Sequence, residues 1–365
     1  SFEGCDGPTE TFTITVNPTA DMNDSVDIVA CDTEVTDIVE FTTNNTGGTT
    51  TYTWTNDTPG IGLVASGSGD LPSFTAINTG TEPIVAIVEV TPLFADDINC
   101  DGISQTFTIT VNPTAQVDQP QDQLLCNGDE LFVGFSTQNT IGITSYNWMS
   151  DIDFGNGLNG EGNIDFTAIN NGTFPIIANI TVTPYYNENG ITCSGSTQLF
   201  SITVNGNIDS NPTISNYNGF QISCFEVNDG FINLSPEGGT PNENEPFYQF
   251  EWIGPNNFIS TNQNISNLEP GTYNVSITDS LDCIFDFEYE INEPEQLEIF
   301  VVNQSDLQCN DVFDGIISVS PIGGTAPYSF EWVKDGIFYS NDQNIENLES
   351  GTYVLFLSDS NSCGP

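Results

Sequence analysis

Nine cysteines, 51 carboxylates and evenly spaced aromatic triplets are the residues here that could do chemistry. Histidine is absent, and Lys334 is the one basic residue. Without histidine, acid–base work falls to carboxylate pairs of the kind that glycosidases use. With so many acids, pairs at suitable spacing arise by number alone, and none stands apart as a privileged site. The chain reads as non-catalytic, with no catalytic residue and no cofactor assigned.

The aromatic triplets are Tyr248, Phe250 and Trp252, and again Tyr328, Phe330 and Trp332. A spacing of two puts each triplet on one face of a strand. Such a ladder would stack sugar rings if exposed, but a sandwich core buries the same pattern, and the core is the preferred reading. Trp54, Trp148, Trp252 and Trp332, with Tyr273 and Tyr353, are therefore expected in cores. Tyr185 and Tyr186 are adjacent, so one of the two rings should face solvent.

The densest acidic clusters are Asp96 to Asp101 and Asn310 to Asp314, with Ser358-Asp359-Ser360 a weaker third. Ca²⁺ needs about six to eight oxygens around one point. The nearest loop register, Asp151-Ile152-Asp153-Phe154-Gly155, lacks a third ligand. Solvated turns are the preferred reading, with Ca²⁺ as the alternative ligand, and no metal residue is assigned. A zinc site is disfavoured without histidine or a CxxC pair.

A formal net charge of −50 argues against nucleic acid and anionic lipid as partners, since both need basic residues to neutralise phosphate. Disorder is argued against by the 25 Phe, 11 Tyr and 4 Trp. No stretch approaches the ~20 apolar residues of a membrane helix, and no membrane insertion is expected.

These residues are carried by repeats. CDGPTETFTITVNPTA (5–20) recurs as CDGISQTFTITVNPTA (100–115) and more loosely at 193–206. FTAINTGTEPIVAIVEVTPLF (74–94) matches FTAINNGTFPIIANITVTPYY (166–186) without a gap. Further on, NQNISNLEPGTYNVSITDSLDC (262–283) is matched by DQNIENLESGTYVLFLSDSNSC (342–363). Repeats of this length mean tandem small domains. Alternating apolar and polar runs between Gly, Asn, Asp and Pro turns predict strands, with no convincing helical stripe. The expected fold is all-β, with tandem immunoglobulin-like antiparallel β-sandwiches in a linear array. The expected borders are 1–19 (last strand of a preceding domain), 20–115, 116–207, 208–293 and 294–365, the last cut before its final strand. Leu268 to Tyr273, with its twin ending at Tyr353, has the pattern of a tyrosine corner.

Each unit has an opening and a closing cysteine, and two disulfide schemes are simple. One closes each unit on itself: Cys31–Cys100, Cys126–Cys193, Cys224–Cys283 and Cys309–Cys363, leaving Cys5 unpaired in this fragment. The other joins neighbours across each linker, as Cys5–Cys31, Cys100–Cys126, Cys193–Cys224 and Cys283–Cys309. In an up-and-down sandwich both cysteines of a unit lie at one pole. A linker-crossing bond would have to span a strand of roughly 30 Å, against a Cα separation of about 7 Å at most. Closure within units is therefore expected.

Residues 208–365 resemble the SprB repeat, a family named for a gliding-motility adhesin of Bacteroidota. The resemblance rests on Cys224 and Cys309, the Gly-Gly-Thr turns, the ladders ending at Trp252 and Trp332, Gly-Thr-Tyr at 271–273 and 351–353, and Asp-Ser before Cys283 and Cys363. Extra residues at Asn242–Glu245 depart from it. The first half resembles PKD-like repeats through its Phe-Thr-Ile-Thr-Val-Asn-Pro strand. The resemblance implies a large secreted bacterial cell-surface adhesin, exported by the type IX system and carried by the gliding machinery, which it would meet through other parts of the protein. Neighbouring repeats of the same chain are the expected partners, with surface polysaccharide or another substratum as a further one. A glycan-binding array of an extracellular polysaccharide-processing protein is the alternative.

Overall fold

The structure, a computed structural model, describes residues 7, 9–96, 98–153, 155, 157–188, 190–307 and 313–364. Cys5 and Cys309 lie outside the described residues. Among the described residues the regular structure is almost wholly β, with two short 3₁₀ turns. Most strand pairs run antiparallel; that of Ile28–Cys31 with Gln105–Asn112 is parallel.

Packing divides the chain into two compact bodies, one of 1–123, 130–167 and 177–202, the other of 124–129, 168–176 and 203–365. Their border falls inside the second sequence repeat. The first joint between repeats, at 112–116, therefore lies within one body, and the joints at 205–208 and 292–297 lie within the other.

In the first body, the strand Ile84–Ala95 lies between Gln105–Asn112 and Thr49–Asn56. Its burial alternates along twelve residues, as a strand with one face on a core must. Ala86, Val88 and Val90 point into a core with Trp54, Ile61, Leu71, Phe107, Ile109 and Val111. Trp54 is opposite Gly67, and a Cβ there would fall 2.1 Å from the indole. Trp148 and Gly160 repeat this arrangement. At the sheet edge, Ile28–Cys31 pairs parallel with Ile109–Asn112, with Cys31 opposite Asn112.

The second body contains two sandwiches, each of two sheets whose strands interleave in sequence. In one, Gln249–Ile253, Gly271–Thr278 and Ile284–Ile291 run side by side over the sheet of Pro212–Ile214, Gly230–Leu234 and Ile265–Leu268. Tyr248, Phe250, Trp252 and Tyr273 are buried between them. In the other, Ser329–Lys334 and Tyr353–Ser358 face the sheet of Glu298–Ser305, Gly315–Ile322 and Ile345–Leu348. Trp332 is buried there, while Phe330 and Tyr353 are partly buried against the same core.

Candidate functional site, the bridged joints

The disulfides follow neither expected scheme. Cys31 is bonded to Cys193, Cys126 to Cys283 and Cys224 to Cys363. In each, the opening cysteine of one repeat is bonded to the closing cysteine of the next. Cys100 is free and half-buried. Closure within units is overturned for Cys31–Cys100, Cys126–Cys193 and Cys224–Cys283. Cys309–Cys363 is overturned as well, since Cys363 is spent on Cys224.

The parallel pair explains why. Because Ile28–Cys31 runs alongside the last strand of its own repeat in the same direction, Cys31 ends up beside Asn112, where the chain leaves that repeat. The Cys126 segment behaves the same way, since Asn205 N–H donates to the Leu125 carbonyl at 2.8 Å. So does the approach to Cys224, with Gln221 and Ile222 N–H donating to the Asn292 carbonyl. Closing cysteines lie at the other pole. Cys193 sits on the hairpin strand Ile191–Ser194, opposite Tyr186, close to where the chain enters its repeat. A purely up-and-down chain would put both cysteines at one pole. The parallel edge strand separates them by the length of the sandwich.

The joint around Ala115 is packed. Cys31, Ala115, Tyr186 and Cys193 form one cluster, with Tyr186 fully buried and Tyr185 partly exposed. Burial raises the Tyr186 phenol above its ordinary value, and the charges of Glu188 and Glu82 push it the same way. Gly195 is required here, because a Cβ would fall 1.8 Å from the Ala115 carbonyl oxygen. Asn139 is the polar clasp: its Oδ1 accepts from Gln116 N–H at 2.9 Å, and its amide donates to the Thr81 and Thr114 carbonyls. Thr114 donates to Asp32 at 2.9 Å, and Thr140 to Glu82 at 2.6 Å.

The next joint is built around a buried carboxylate. Asp279 is 1% exposed and faces N–H groups in place of a cation. Its Oδ2 accepts from Thr240 N–H at 2.9 Å and from the Asn205 side-chain amide. Its Oδ1 accepts from Leu281 and Cys283 N–H. Thr240 hydroxyl closes the ring by donating to Asn205 Oδ1 at 2.9 Å. Hydrogen bonds to an ionised acceptor are roughly twice as strong as neutral ones, so this carboxylate fixes the loop that presents Cys283. Asp359 repeats the role: it accepts from Thr325, Asn361 and Cys363 N–H. At the same joint Asn361 donates to the Ser223 carbonyl, and Asn218 to Asn361.

Three of the aspartates in these stretches are put to internal use. Asp359 locks a loop. Asp151 accepts from the backbone and side-chain N–H of Asn179, and Asp153 from Gly155 and Gly157 N–H. Phe154 lies outside the described residues, as do Asp97 and Asn310 to Val312. Among the described residues no three His, Cys, Asp or Glu side chains are grouped to hold a metal ion, and no helix is long and apolar enough to cross a membrane.

The aromatic ladders are spent on packing and internal hydrogen bonds. Trp252 and Trp332 donate to the Asn262 and Asp342 carbonyls at 2.9 Å, and Tyr248 and Tyr328 to the Gly238 and Gly323 carbonyls. Tyr273 donates to the Glu269 carbonyl at 3.0 Å, as a tyrosine corner should. Tyr353 does the same with Glu349 at 3.2 Å, and the Lys334 ammonium lies 5.7 Å from its ring centre. The partly exposed Tyr185 lines an open groove with Asn147, Glu161 and Thr192.

Asp279 was hidden in the sequence. The Asp-Ser before each closing cysteine is a visible signal, but nothing in its spacing says that the carboxylate turns inward. Three disulfides of this kind belong to an oxidising compartment.

The chain is similar to several multidomain β-sandwich structures at low identity. A titin I-band fragment is 10% identical, covering 73% of this chain and 95% of that one, with a TM-score of 0.39. Extracellular domains 3–5 of Drosophila OTK are 12% identical over 74% and 95%, with a TM-score of 0.26. The human desmocollin-1 ectodomain is 12% identical over 95% and 78%, with a TM-score of 0.28. Among curated proteins none matches. The SprB repeat family model matches residues 301–334, a window that contains the Gly323-Gly324-Thr325 turn and Trp332. That matched window lies in the last of the bridged units.

Proposed function

We propose that this chain is a stalk segment of a large secreted adhesin on a bacterial cell surface, where it serves attachment and gliding by limiting extension under load. The observation that carries this reading is the overlap of the three bridges. Cys126 lies inside the loop closed by Cys31–Cys193, and Cys224 inside the loop closed by Cys126–Cys283. With the bridges intact, the shortest covalent path runs from Ser1 to Cys31, across to Cys193, on to Cys224, and across to Cys363. At about 3.4 Å per residue that path is roughly 220 Å, against roughly 1,240 Å for the reduced chain. Tension is thus carried by covalent bonds that bypass most of the hydrogen-bonded fold.

The SprB repeat supports the gliding assignment, and the Phe-Thr-Ile-Thr-Val-Asn-Pro strand supports PKD-like units before it. The partners on this reading are neighbouring repeats of the same chain, with a surface polysaccharide as substratum and the gliding machinery engaged elsewhere in the parent protein. The segment itself is non-catalytic. Cells whose own adhesin carries Cys31→Ser and Cys193→Ser should still display it yet detach at lower shear. Unchanged shear resistance with display intact would remove the mechanical reading.

The groove beside Tyr185 supports a second reading, a glycan-binding array. It offers a ring face flanked by Asn147, Glu161 and Thr192, which is the chemistry that stacks and hydrogen-bonds a sugar.

A further inference from the structure

Cys100 occupies the position that is bridged in every other repeat where it is described. It lies opposite Phe94 on a short hairpin strand, as Cys193 lies opposite Tyr186. Phe94 is 1% exposed and Tyr186 0%. The surrounding contacts repeat as well. Gly102 N–H donates to the Pro92 carbonyl, as Gly195 does to Pro184. A Cβ on Gly102 would fall 2.4 Å from the Ala20 carbonyl oxygen, just as Gly195 abuts Ala115. Asn45 donates to the Thr19 carbonyl and accepts from Asp21 N–H, the pattern that Asn139 makes with Thr114 and Gln116. The joint is built, and Cys100 supplies one sulfur of it.

A second observation says what sits on the other side. Residues 11–20 and 106–115 are identical, TFTITVNPTA in both. In the later copy Phe107, Ile109 and Val111 are 3%, 0% and 0% exposed, packed as the last strand of a sandwich. In the earlier copy Phe12, Ile14 and Val16 are 82%, 88% and 85% exposed and lie outside every sheet. The same ten residues cannot favour burial in one place and water in the other. Burying three such side chains favours association.

We infer that Thr11–Asn17 completes a β-sandwich of this same kind located earlier in the parent chain, and that Cys100 is disulfide-bonded to the opening cysteine of that sandwich. That cysteine would end a short strand running parallel to Thr11–Asn17, as Cys31 does beside Asn112. Forming the bond removes two protons and two electrons from the two thiols. A disulfide oxidant of the secretory compartment accepts them and is reduced to its own two thiols. Partners in the three bridges are 139 to 162 residues apart. The same spacing places the partner of Cys100 before residue 1.

The test is peptide mapping of the full-length secreted protein, alkylated without reduction and cut with an aspartate-directed protease and pepsin, since one basic residue leaves trypsin almost no site. The expected result is a peptide containing Cys100 joined to a cysteine of the same chain that precedes residue 1. Cys100 recovered alkylated would overturn the inference. So would Cys100 joined to Cys5, to any other cysteine of residues 1–365, or to Cys100 of a second molecule.

Discussion

Cys31 and Asn112 are register partners on two parallel strands, Ile28–Cys31 and Gln105–Asn112, so the first cysteine of a repeat lies at its far end. Asp27 pins the pair by accepting from Thr108 N–H at 2.7 Å. That hydrogen bond holds the Asp27 carboxyl below its ordinary value. A lowered folded-state value stabilises the fold above the unfolded value of about 3.9, and the effect is lost as pH falls through the folded value. Asp27→Asn should therefore lower the melting temperature at neutral pH, and the gap from the parent should close in strong acid. Thermal melts in about 1 M salt, where the Debye length is near 3 Å, keep the overall charge from masking the effect. A gap that widens on acidification would contradict this account of Asp27.

Gly195 should tolerate no side chain. With a Cβ 1.8 Å from the Ala115 carbonyl, Gly195→Ala must push the hairpin off the joint, at about 1–3 kcal/mol. Denaturant unfolding should show that loss, and Cys31–Cys193 should be reduced faster by a thiol. Gly60→Ala, where nothing lies within 4 Å, is the control and should change neither. Equal behaviour of the two variants would remove Gly195 from the joint.

Asp279→Ala strands four N–H donors, from Thr240, Asn205, Leu281 and Cys283. Leaving buried donors of a charged acceptor unsatisfied costs about 2–4 kcal/mol. Asp359→Ala should behave alike in the last unit. Equilibrium unfolding measures both, and a loss under about 0.5 kcal/mol, typical of a surface change, would mean that the carboxylate is incidental.

Binding of the chain to a panel of surface polysaccharides separates stalk from adhesive module. The stalk reading predicts no saturable binding. Saturable binding lost in Tyr185→Ala would move the adhesive function into the groove beside Asn147 and Glu161.

The period, the strands, the buried tryptophans and the tyrosine corner at Tyr273 were legible because each depends on local alternation and on a few residues of turn. The cysteine pairing was not. It depends on whether one four-residue edge strand, Ile28–Cys31, runs with or against Gln105–Asn112, and IVAC suits either direction. Asp279 was missed for a related reason: its four donors come from three separate segments, including Asn205 in the preceding repeat. Likewise only Tyr186 of the Tyr185-Tyr186 pair is buried, because only it faces the joint at Ala115.

Single-molecule extension of the oxidised and reduced chain tests the central claim most directly. Overlapping bridges predict that the oxidised chain stops at about 220 Å between its ends and that reduction releases about 1,000 Å more. An oxidised chain that lengthens by hundreds of ångströms beyond 220 Å before any reductant is added would contradict it.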